Sequence, residues 1–111
     1  MSVTVLCRLT ELPEGSCREF SLAGRDVFVL HHAGQLRAYV NTCPHTGVSL
    51  NWLPNQFFNL EGDYLQCATH GALFRIEDGY CVRGPCAGAS LQAIPIALVD
   101  GCITCPGIDD N

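Results

Sequence analysis

Cys43-Pro44-His45 and Cys67-Ala68-Thr69-His70 stand 21 residues apart, and each offers one thiol and one imidazole. Both donor types bind transition metals well. Four such donors act together only if the fold brings two loops to one point. The scaffold must therefore hold the ends of both loops firmly. Pro44 fixes its own φ and biases Cys43 toward extended backbone, which stiffens the first loop. Gly47 and Gly71 follow the two histidines closely and permit backbone shapes that other residues resist.

The rest of the sequence supplies such a scaffold. Short β-rich runs are broken by Gly, Asp, Asn and Pro: residues 3–9, 18–22, 26–32 and 36–40. Residues 33–35 (AGQ) predict a turn that makes 26–40 a hairpin. A second hairpin is expected from 72–76 and 80–82 around the turn EDG, 77–79. Ile94, Ile96 and Leu98 alternate with smaller residues, as in a half-buried strand. Asp100-Gly101 then turns this strand into CITC at 102–105. The pattern predicts a small antiparallel all-β protein of about eight to ten strands, with the four donors in loops.

At 111 residues, the chain fits a single domain, 1–111. Hydrophobic residues make up 48% and charged ones 15%, which suits an ordered core rather than a disordered tail. Eleven acids face six arginines and no lysine, a net charge of −5. This disfavours nucleic acid and anionic lipid as partners and favours a basic patch on another protein. Residues 38–60 carry no charge but hold two prolines and four asparagines, so no transmembrane helix is expected there. The first residues do not read as a signal peptide, and the expected location is the cytoplasm.

With C-x-H, C-x-x-H and the two glycines in place, the chain resembles the Rieske family of [2Fe–2S] proteins. In that family two cysteines bind one iron and two histidines the other. The resemblance implies that Cys43, His45, Cys67 and His70 hold one [2Fe–2S] cluster, with each loop giving a ligand to each iron. It also implies a three-sheet β architecture and identifies Gly84-Pro85 as a third loop covering the cluster. The segment around 51–63 is longer than in many small family members, which predicts a larger loop beside the site.

Two neutral imidazoles in place of two thiolates leave the reduced centre less negatively charged. Such centres therefore span about −150 to +300 mV, against about −400 mV for four-cysteine clusters. High-potential relatives carry an extra cysteine in each ligand loop, joined as a disulfide, and a serine and a tyrosine whose hydroxyls stabilise the added electron. The matching positions here are Val48, Thr69, Ala72 and Phe74. The resemblance thus implies a potential near the low end, on the order of −150 mV. A low potential suits a one-electron carrier between a reductase and an oxygenase-type partner, itself not an enzyme. The alternative is a small Rieske-like subunit of a reductase complex such as nitrite reductase. A tetrahedral zinc site is chemically open to the same donors, although no zinc-finger helix follows.

Other features read as structural. Cys102 and Cys105 lie on a strand with i, i+3 spacing and face opposite sides. Cys81 and Cys86 bracket the proline loop, where free thiols are favoured over a disulfide in a reducing compartment. Cys7 and Cys17 read as small core or surface residues, and His31-His32 as opposite-facing strand residues rather than a chelate. Glu77 and Asp78 form a turn. Trp52, Phe57 and Phe58 are either core residues, the favoured reading, or an apolar docking rim.

Overall fold

The computed structural model describes residues 3–22, 24–42, 50, 56–59, 61–68, 71–85 and 87–106. Among these residues there are nine strands and one short 3-10 turn. The strands are β1 (Val3–Arg8), β2 (Ser16–Leu22), β3 (Arg25–His32), β4 (Gln35–Val40), β5 (Tyr64–Gln66), β6 (Leu73–Arg75), β7 (Cys81–Arg83), β8 (Ala97–Val99) and β9 (Cys102–Pro106). They form three antiparallel three-stranded sheets, ordered β1-β9-β8, β2-β3-β4 and β5-β6-β7. The all-β, three-sheet expectation holds.

The turns follow the chemistry of their residues. Ala33 and Gly34 both have positive φ, 53° and 75°, the pattern of a tight two-residue hairpin turn. Ala33 lacks glycine's freedom. The Glu14 carboxylate accepts hydrogen bonds from the Ala33 and Gly34 amides at 2.6 and 3.0 Å and holds the turn in place. Gln35, expected in the turn, instead pairs with His32 as the first residue of β4. Asp100 and Gly101 repeat the positive-φ pattern between β8 and β9, as the sequence predicts.

Strand ends differ from expectation where backbone groups find other partners. Ala72 lies outside β6 because its carbonyl accepts the Cys67 amide at 2.9 Å. Ile76 leaves the strand because its carbonyl accepts the Tyr39 hydroxyl at 2.8 Å. Tyr80 makes only an isolated bridge to Ser90, and β7 starts at Cys81. Ile94 and Ile96 precede β8 rather than forming part of it: the Ile94 amide bonds to Ala38 O, next to β4. All three residues of β8 are exposed, so Leu98 does not continue the burial of Ile94.

Strand β3 separates two interiors. Successive residues of a strand point to opposite faces. Phe28 and Leu30 enter the core shared with β5, β6 and β7, whereas Val27 and Val29 enter the core shared with β1 and β9. The Phe57 ring stacks on Phe28 at 4.0 Å between centroids and 10° between planes. Phe57 is therefore a core residue and not part of a docking rim. Phe58 is half-buried beside His32, with ring centroids 5.9 Å apart, and Trp52 lies outside the described residues.

Candidate metal centre

Of the four candidate ligands, Cys67 lies among the described residues; Cys43, His45 and His70 lie outside them. The same holds for Pro44, Gly47, Val48 and Thr69. Among the described residues no three metal-binding side chains come together. The structure does show what anchors the two loops.

The loop after β5 is closed at its base. Cys67 is fully buried, its amide bonds to Ala72 O, and its carbonyl accepts the Gly71 amide at 2.8 Å. Gly71 has φ +70°, which lets the chain reverse immediately after His70. Ala72 and Phe74 are fully buried and bring no hydroxyl to this end of the sheet.

The segment carrying Cys43 and His45 is closed by a side chain. Asn41, 4% exposed, follows β4, and its amide bonds to Asp26 O at 2.8 Å. Its Oδ1 accepts the Leu50 amide at 2.8 Å, drawing the two ends of the segment together. Leu50 then accepts the Ala68 amide on its own carbonyl at 2.7 Å. Leu50, fully buried, thus ties the end of the segment carrying Cys43 and His45 to the residue that follows Cys67. Neither Asn41 nor Leu50 stands out in a search for metal donors. The available signal was an Asx residue two positions before Cys43, a side chain suited to bonding nearby backbone.

The third loop packs against the second. Gly84 has φ +108°, and a Cβ there would stand 2.7 Å from Ala72 Cα. Gly84 O accepts the Ala87 amide at 3.1 Å, which closes the loop on itself, and the Cys81 thiol donates to Arg83 O at 3.2 Å. Cys86 lies outside the described residues.

Cys7, Cys17 and Cys105 are buried in the two cores. Cys17 is buried beside Phe57, and burial pushes its thiol up to about 12. Burial also raises Cys7 and Cys105 in the second core. Thiols held protonated in this way are poor nucleophiles and poor metal ligands. His31 and His32 have separate partners: His31 Nδ1 donates to Leu12 O at 2.9 Å, while His32 lies against Phe58. Glu77 and Asp78 lie in the turn after β6, with Asp78 paired to Arg75.

Two thiols and two imidazoles are the donor set a mixed-ligand [2Fe–2S] cluster requires, and a buried cysteine at the hydrogen-bonded base of its loop suits it. Among the described residues no helix is long and apolar enough to cross a membrane.

Known proteins resemble this chain in sequence and in fold. A family model described as the Rieske [2Fe-2S] domain matches residues 2–106. The chain is 28% identical over 96 residues to the ferredoxin component of an alkene monooxygenase system from Xanthobacter autotrophicus, covering 86% of this chain and 74% of that one. It superposes on the ferredoxin of carbazole 1,9a-dioxygenase from Nocardioides aromaticivorans with a TM-score of 0.78 and 21% identity, over 95% of this chain and 97% of the other. It also matches a chain in a reduced complex between oxygenase and ferredoxin of carbazole 1,9a-dioxygenase, with a TM-score of 0.80 and 22% identity. There it covers 93% of its own length but only 27% of that larger chain. At these identities the structural matches speak for the fold alone. With the family model spanning nearly all of its length, the chain belongs to the Rieske [2Fe–2S] domain family and has that family's cluster as its cofactor.

Proposed function

We propose that Cys43 and Cys67 bind one iron of a single [2Fe–2S] cluster and His45 and His70 the other. The observation that carries this reading is the relay through Leu50, which ties the base of the Cys43–His45 segment to the residue after Cys67. Such a cluster takes up and gives back one electron. The chain's own part is to fix the four donors, keep Cys67 dry and cover the site with the Gly84–Pro85 loop.

The protein is an electron carrier that serves an oxygenase-type partner, and not itself an enzyme. Its similarity in sequence to ferredoxin components of a monooxygenase and a dioxygenase supports this reading over a permanent reductase subunit. A reductase is the electron source in our reading. We read residues 1–111 as one domain and the cytoplasm as its location.

The test is direct. Anaerobically purified protein should contain two irons and two acid-labile sulfides per chain by this assignment. The reduced protein should give the electron paramagnetic resonance spectrum of a histidine-ligated cluster. Cys67→Ala and His70→Ala should each abolish that spectrum. Stoichiometric zinc with no visible colour would refute the assignment.

A further inference from the structure

We infer that Asn41 is a positioning residue for the cluster: its side-chain oxygen holds the two ligand-bearing loops in register through Leu50. The inference rests on the ligand assignment proposed above and concerns a residue outside that donor set.

Asn41 Oδ1 takes the Leu50 amide and Leu50 O takes the Ala68 amide, at 2.8 and 2.7 Å. This relay runs from a side chain two positions before Cys43 to the amide immediately after Cys67. At its other end the Asn41 amide is fixed to Asp26 O at the start of β3. The relay therefore also references both loops to the central sheet. Asn41 and Leu50 are buried, so water cannot readily replace the lost partner if Oδ1 is removed. The second loop is already closed by its own Cys67–Ala72 and Gly71–Cys67 bonds. Losing Oδ1 thus leaves each loop's own sequence intact but frees their relative placement. A mixed-ligand centre needs a donor from each loop on each iron, so it is sensitive to that placement.

The experiment compares the intact, cluster-loaded protein with Asn41→Ala and Asn41→Asp. Aspartate keeps an acceptor oxygen at the same position; alanine does not. We expect the visible absorbance of Asn41→Ala to decay about 10-fold faster than wild type under a chelator. Its reduced-state resonance lines should also broaden, reporting a spread of ligand geometries. Asn41→Asp should return both toward wild type. As a control for simple destabilisation, Phe57→Ala should weaken the fold without broadening the lines.

The inference is overturned if Asn41→Ala keeps wild-type decay and line shape. It is equally overturned if folded Asn41→Asp, checked by circular dichroism, behaves as Asn41→Ala does. If the alanine variant does not fold, the aspartate variant decides alone: wild-type decay and line shape support the relay, and fast decay with broad lines overturns it. A wild-type protein with no cluster would instead refute the ligand assignment, and the relay's role with it.

Discussion

Gly84 sits so close to Ala72 that a single added carbon would stand 2.7 Å from the alanine's Cα. Real side chains do not approach backbone that closely. The third loop is therefore seated on the second by the absence of a side chain.

Gly84→Ala should accordingly destabilise the protein by about 2–4 kcal/mol, combining the strain of a positive φ with displacement of the loop. Urea denaturation of the loaded protein measures the loss. Faster bleaching of the visible absorbance should accompany it, because Ala72 closes the loop that begins at Cys67.

The reduction potential should lie near the low end of the histidine-ligated range, on the order of −150 mV. Ala72 and Phe74 are fully buried and have no hydroxyl to stabilise an added electron. Phe74→Tyr should raise the midpoint by about 20–60 mV, one net hydrogen bond expressed for a one-electron couple. Potentiometric titration of both proteins checks this, and a clearly positive wild-type midpoint would contradict it.

Phe57→Ala should cost about 3–5 kcal/mol, since it empties the space of a fully buried ring stacked on Phe28. The midpoint potential should stay close to wild type. Thermal or urea unfolding, set beside a redox titration, separates the two effects.

Acid should weaken the hairpin that joins β3 and β4. Backbone amides of Gly34 and Ala33 hold the Glu14 carboxyl below its usual value of 4.5. Its folded value is thus the depressed one, and its contribution is present above the unfolded value. That contribution fades as pH falls through the folded value. Urea midpoints measured from about pH 6 down to about pH 3 should fall less steeply for Glu14→Gln than for wild type.

Much of the scaffold was legible because local chemistry and tertiary demand agree. Asp100-Gly101 requires positive φ and receives it, and the runs at 3–9, 18–22, 26–32 and 36–40 become strands with small shifts at their ends. Strand ends around β6 were not legible, because they depend on distant partners: Tyr39 takes the Ile76 carbonyl and Cys67 takes that of Ala72. The alternation of Ile94, Ile96 and Leu98 misled for a related reason. Ile94 packs into the second core beside β4, with its amide bonded to Ala38 O, without belonging to a strand. In the candidate site, the proposed donors Cys43, His45, Cys67 and His70 stand out in the sequence as spaced Cys and His, whereas Leu50 does not. Its role is carried by its backbone N–H and C=O, and those groups are identical in every residue but proline.

Phe28 and Val29 are chain neighbours that serve different interiors. Chemistry at the redox end and packing under the terminal strands are thus insulated by the thickness of one sheet. Engineers could redesign the outer β1-β9-β8 layer, to alter solubility or attach a fusion, and leave the electron-handling loops untouched.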